Sequence, residues 1–246
     1  MTLIENPKNE VCDVIFLTNT ENLDIFQMTS NAIQSLRESE TLNRFRIIVV
    51  ESRTEITRLV PGEDHNYNSD LTIYYKGEFN YNKALNMAFE HIENDHVAVF
   101  NNDVLFTPGW YSAMRYNMDV FNLDSASPHC PVKQQGPNEL AQRTILSYQP
   151  STVIAGYNCI TEFCGWGWMM KKSVLEKLLP FPEDLSFWFQ DNHMALQLKT
   201  MGYKHGYVVD SVVIHFGQKS YSLISPDKIH GMTHGLHQTF INKWIK

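Results

Sequence analysis

The feature that most constrains the fold is a series of short apolar runs, separated by amphipathic stretches, through the first 106 residues. Val11–Leu17 (VCDVIFL), Phe45–Val50 (FRIIVV) and Val97–Phe100 (VAVF) are rich in β-branched and aromatic residues. A strand with one face in water alternates apolar and polar residues, whereas a near-continuous apolar run is a strand covered on both faces. Between the first two runs, Asn22–Ser39 places Ile25, Met28, Ile33 and Leu36 near one face of a helix, with Thr20 or Asn22 positioned to cap it. After a polar loop at Asp64–Asp70, Leu71–Tyr75 reads as a short strand. Phe79–Ile92 then carries Ala84, Leu85, Ala88, Phe89 and Ile92 as an apolar helical stripe. The order strand, helix, strand, loop, strand, helix, strand predicts an α/β protein with a mostly parallel sheet flanked by helices.

Each long run ends in polar residues: Thr18-Asn19-Thr20, Glu51-Ser52-Arg53 and Asn101-Asn102-Asp103. In open α/β sheets, ligands bind in the crevice at the carboxyl ends of the strands. The stretch His96–Trp110 (HVAVFNNDVLFTPGW) is central, because Asp103 would sit at such an end. A carboxylate there suits a divalent cation carrying a nucleotide diphosphate. The competing reading is a simple turn, which Asn and Asp favour. No GxGxxG follows the first strand and no GxxxxGK[ST] occurs anywhere, so a dinucleotide fingerprint and a P-loop are both excluded.

The second half is less regular. Ser125–Pro150 contains Pro128, Pro131, Pro137 and Pro150 around a polar middle, Lys133–Arg143, and reads as a long excursion. Thr152–Ile154 is a short strand, and Glu162–Met170 is dense in Gly and Trp. Lys172–Leu179 is a short helix stopped by Pro180 and Pro182. Leu185–Met201 reads as a helix entered through an aromatic cluster and ended by Gly202. Tyr207–Ile214 is a strand running into His215-Phe216-Gly217-Gln218-Lys219-Ser220, and a last helix starts near Pro226 and runs toward Trp244.

The net charge of −7 argues against a generic binder of phosphate backbones, which needs a basic footprint. Cys12, Cys130, Cys159 and Cys164 form no CxxC pair and no zinc-ligand spacing. A reduced, cytoplasmic setting is expected, host cytoplasm if the chain is viral. The N-terminus shows no signal peptide and no apolar run reaches membrane-spanning length, so no membrane anchor is expected.

In order along the chain, these segments resemble the family 2 glycosyltransferases of the GT-A fold. The first strand with Thr18-Asn19-Thr20 is similar to their opening strand and nucleotide-contacting turn, and Ile47–Ser52 to their second strand, which ends in an acidic residue beside the base. Asn80–Met87 resembles the segment before the metal motif, and Phe100–Asp103 the DxD-type motif, with Asp103 at its last, metal-binding aspartate and Asn101 in place of the first. Glu162–Lys171 resembles the Gly/Trp acceptor segment. Gln190-Asp191 resembles the ED pair, with Gln190 in place of the glutamate, and His215 stands where such enzymes place a further metal ligand.

The resemblance implies a single GT-A domain over 1–246: a nucleotide-binding half at about 10–110, an acceptor half at about 111–220, and a C-terminal helix or lid at 221–246. It implies transfer of a sugar from a nucleotide sugar, most simply a UDP-sugar, with Mn²⁺ or Mg²⁺ held by Asp103 and His215. Asp191 would be the base of an inverting reaction; its alternative is a helix N-terminal aspartate favoured by the dipole. Thr18, Asn19, Thr20, Glu51, Arg53, Lys83, Asn101, Asn102, Lys219 and Ser220 would surround the nucleotide. Gly165, Trp166, Trp168 and Gln190 would meet substrate, with core packing the alternative for at least one tryptophan.

A glycan, a protein, or a hydroxymethylated DNA base, as in small bacteriophage-type transferases, would be the acceptor. DNA would require Lys171, Lys172, Lys199 and Lys204 to cluster. His230, His234 and His237 share a face of the last helix, but no carboxylate motif accompanies them, and a lid over the donor suits that helix better than a second metal site. The alternatives are a nucleotidyltransferase on a similar sheet, which would usually carry a Gly-rich loop after the first strand, and a non-catalytic carbohydrate-binding relative.

Overall fold

The computed structural model describes residues 11–41, 44–52, 67–131, 145–148, 151–159, 161–217 and 226–244. The three apolar runs become β1 (Val11–Thr18), β2 (Arg44–Glu51) and β4 (His96–Phe100), with β3 (Leu71–Tyr74) at one margin. Their side chains alternate between two cores. Cys12, Val14 and Phe16 of β1 face one core, with Phe45, Ile47 and Val49 of β2 and Ala98 and Phe100 of β4. Ile15, Leu17, Ile48, Val50, Val97 and Val99 face the other. The absence of polar alternation follows directly, because both faces are covered.

The first core is closed by α1 (Leu23–Glu38), through Ile33 and Leu36, and by α3 (Trp110–Val120), through Trp110 and Met114. Asn22 caps α1 by accepting from the Ile25 N–H. The second core is closed by α2 (Tyr81–Phe89), α4 (Lys172–Leu178) and α5 (Gln190–Thr200), through residues such as Leu85, Leu175 and Met194.

The remaining described strands are β5 (Val104–Phe106), β6 (Ser125–His129), β7 (Ile145–Tyr148), β8 (Ser151–Ala155), β9 (Gly167–Lys171) and β10 (His205–His215). Among the described residues, ten strands form a sheet ordered β3-β2-β1-β4-β9-β6-β10-β8-β7, with β5 pairing β10. The β3-β2-β1-β4 half is parallel. β9 runs antiparallel to both β4 and β6, and β6 is parallel to β10.

Several elements depart from the sequence reading, which predicted neither β5 nor α3 and placed β7 inside the long excursion. The Gly/Trp segment contains β9, an inner strand. Gly167 is needed there, since a Cβ would lie 2.7 Å from the Phe100 ring. The start of the proline-rich excursion is β6, whose Ser-Ala-Ser-Pro-His sequence has little intrinsic strand preference and is held by its neighbours. The helix expected from Leu185 begins only at Gln190, because Phe189 takes a left-handed conformation (φ 64°) that a helix cannot pass through. Among the described residues, no helix is long and apolar enough to cross a membrane. The last helix, α6, spans Pro226–Trp244.

Candidate functional site

The carboxyl ends of β1, β2 and β4 are tied together by buried polar groups. Glu51 is fully buried, and its carboxylate accepts from the Thr20 N–H (3.2 Å) and the Tyr67 hydroxyl (2.6 Å). A buried carboxylate needs such donors. Burial, reinforced by Glu51, pushes the Tyr67 hydroxyl far above its ordinary pKa, so it stays a donor. Thr20 also bonds Tyr67 (2.7 Å). Asn102 is turned inward, its amide donating to Thr18 (3.2 Å) and Thr29 (3.1 Å), which pins the turn after β4 to β1 and α1. Asn19 accepts from the Ser52 hydroxyl (2.8 Å). In this framework Thr18, Thr20, Glu51 and Asn102 are buried at the strand ends, while Asn19 is only part-buried.

Asp103 and His215 are brought together by strand reversal. After Asn101-Asn102-Asp103 the chain re-enters the sheet as β5, antiparallel to the end of β10, with His215 in register with Val104. The Phe216 N–H donates to the Asp103 carbonyl (2.9 Å) and locks that register. His215 Nε2 lies 3.1 Å from Asp103 Oδ1 and 3.5 Å from the Asn101 amide nitrogen. Trp166 stacks on the His215 ring (centroids 4.9 Å, planes 11° apart), and its carbonyl accepts from the Asn101 N–H (2.8 Å).

The Asp103–His215 separation is that of a direct hydrogen bond, and the same carboxylate and imidazole could instead hold a divalent cation between them. Adjacent ligands about 2.1 Å from an octahedral ion are about 3 Å apart, close to the separation seen here. Among the described residues, no third His, Cys, Asp or Glu completes a cluster. Two protein ligands would leave the remaining positions to phosphate oxygens and water.

Asp191 lies against Gly165, the residue before Trp166. A Cβ on Gly165 would lie 2.8 Å from Asp191 Oδ2, so the glycine is what lets the carboxylate approach. Gly165 is adjacent in the chain to Trp166, which covers His215, so this dipeptide joins the two ends of the site. Burial raises the Asp191 carboxyl above the ordinary carboxylate range, against the Asn192 N–H that it accepts (2.8 Å). The Tyr81 hydroxyl reaches the Gly165 carbonyl (3.4 Å).

Sequence reasoning passed over a row of asparagines on α2 and at its N-cap. Asn80, Asn82 and Asn86 donate to the carbonyls of Glu183, Pro182 and Phe181, at 2.8, 2.8 and 2.9 Å, and so fix the segment leading to Asp191. Their i, i+2, i+6 spacing falls partly outside a helical stripe, which hid them.

Other expected site residues lie elsewhere. Trp168 is 1% exposed in the core beside α2, the packing role left open for one tryptophan. Gln190 opens α5 with its side-chain oxygen buried and unpartnered. The Lys83 ammonium sits over the Tyr75 ring, 5.7 Å from its centroid. Lys171 pairs with Asp124 (3.2 Å), which also accepts from the Lys204 N–H (2.9 Å), and Lys172 donates to the Ile92 carbonyl (3.2 Å). Arg53, Lys219 and Ser220 lie outside the described residues, as does the side chain of His230.

A parallel β3-β2-β1-β4 half, an antiparallel β9, and an Asp-His pair on a strand reversal beside β4 define a GT-A fold. A family model for glycosyl transferase family 2 matches residues 18–179, two thirds of the chain, and the chain belongs to that family. The match agrees with the resemblance carried by Thr18–Thr20 and Phe100–Asp103. A search of curated proteins finds no match. A crystal structure of GalNAc-T7 with UDP, GalNAc and Mn²⁺ shares the fold, with a TM-score of 0.59 over 83% of this chain at 11% identity. This chain spans 43% of that one.

Proposed function

We propose that the protein transfers a sugar from a UDP-sugar to a hydroxyl acceptor with inversion, assisted by Mn²⁺ or Mg²⁺. The observation that carries this reading is the Asp103–His215 pair at the carboxyl edge of the sheet, joined through Gly165-Trp166 to Asp191. Family membership supports glycosyl transfer over the nucleotidyltransferase alternative. GalNAc-T7, crystallised with UDP and Mn²⁺, supports the choice of nucleotide and metal.

Asp103 and His215 would hold the cation, which supplies positive charge to the leaving diphosphate. Asp191 accepts the proton of the acceptor hydroxyl as its oxygen bonds the anomeric carbon. The bond from that carbon to the phosphate oxygen breaks, and its electron pair leaves with UDP. Trp166, flat against His215 and only part-buried, presents an aromatic surface at the donor. The engaged Lys171 and Lys172 and the net charge of −7 favour a glycan or protein acceptor over modified DNA.

A thermal-shift screen of nucleotide sugars with Mn²⁺ tests this, since a ligand of the native state raises Tm. UDP-sugars are expected to raise it only with the metal. Equal shifts with GDP- or CMP-sugars, or shifts that survive EDTA, would contradict the proposal.

A further inference from the structure

The last helix packs against the residues that bracket the start of α5. Phe240 stacks on Phe189 (centroids 5.5 Å, planes 22° apart) and His237 packs on the same ring (5.2 Å). One turn further along each helix, the Trp244 indole N–H donates to His193 Nδ1 (2.8 Å). Lys243 pairs with Asp184 (2.8 Å) just upstream. On α6, residues 237, 240 and 244 form one stripe, and residues 189 and 193 form the stripe that it meets.

Phe189 is a non-glycine residue at φ 64°, a left-handed conformation that an L side chain keeps only where its surroundings hold it. Its carbonyl accepts from the His193 N–H (2.9 Å), closing the first turn of α5. Asp191 lies inside that turn. The left-handed residue sets where the helix begins, and so the direction in which the Asp191 carboxylate leaves it.

We infer that α6 is a positioning clamp for the candidate base: Phe240 and Trp244 hold Phe189 and His193, and through them aim Asp191 at the acceptor. This deepens the proposed reaction and rests on Asp191 as its base. It differs from a lid over the donor, because the contacts it rests on are to Phe189 and His193, which flank Asp191. Phe240 and Trp244 are positioning residues with no contact to a reacting atom.

The test uses the full chain with Phe240→Ala and, as a milder variant that keeps a ring, Trp244→Phe. Three readouts are taken: Mn²⁺-dependent UDP binding by calorimetry, UDP release from the UDP-sugar identified by the screen, and amide exchange at His193. The clamp predicts UDP affinity within about twofold of the parent, kcat lower by about 10- to 100-fold in Phe240→Ala, and faster exchange at His193. It also predicts that Phe240→Ala adds no further loss to Asp191→Asn.

Parental kcat in both variants, with Asp191→Asn inactive, would overturn the clamp and leave the base reading standing. A kcat loss matched by an equal loss of UDP affinity would overturn it as a general structural effect. Turnover retained by Asp191→Asn would overturn the base reading, and the clamp with it.

Discussion

Gly165 is the residue at which the two ends of the site meet. Its missing side chain admits the Asp191 carboxylate, and its neighbour Trp166 covers His215. Gly165→Ala places a methyl 2.8 Å from Asp191 Oδ2, so the carboxylate must swing away. UDP release should fall by about 10- to 100-fold while Mn²⁺-dependent UDP affinity stays within about twofold, measured by steady-state kinetics and calorimetry. Parental kcat would show that the Asp191 position is immaterial. At this scale Asp103, His215 and Asp191 were singled out through the family resemblance, and the structure sets Asp103 beside His215 and Asp191 against Gly165. The direction of a turn side chain is not legible in the sequence. Asn102 and Glu51 stand beside the crevice in sequence, yet their polar atoms are spent on Thr18, Thr29, Thr20 and Tyr67.

Elements were legible in proportion to their apolar pattern. β1, β2 and β4 carry runs that can only be covered on both faces, and each was read within a residue or two. β6 and β9 were not, because their strand state comes from pairing with β4 and β10 rather than from their own residues. The start of α5 was misplaced because a left-handed Phe189 has no sequence signal, unlike a glycine. The contact of α6 with α5 carries a pH dependence. Burial, with the nearby Lys243 adding and Asp184 opposing, lowers the His193 pKa from 6.5 to about 4. As pH falls from about 6.5 toward 4, an unfolded or undocked His193 takes up a proton that the docked one does not. Docking is therefore at full strength above about pH 6.5 and weakens progressively through that window. The Trp244 indole N–H resonance should lose its hydrogen-bonded shift as the pH drops through this range, and a resonance unchanged at pH 4 would contradict it.

At the scale of the molecule, a parallel half-sheet delivers three strand ends to one edge, and β10, a strand of the same sheet, pairs with β5 and so brings His215 to Asp103. That approach was unreadable from local pattern, since the two residues are 112 positions apart in sequence and meet only through β5–β10 pairing. The resemblance to family 2 supplied the link in advance, and the family match now stands independently of it. The proposed reaction depends on that pair, so calorimetry of UDP with and without Mn²⁺, on the parent and on Asp103→Ala, tests it most directly. The parent should bind UDP at least about tenfold more tightly with Mn²⁺ than with EDTA, and Asp103→Ala should bind equally weakly in both. Parental, Mn²⁺-dependent affinity in Asp103→Ala would contradict the metal site and the reaction built on it.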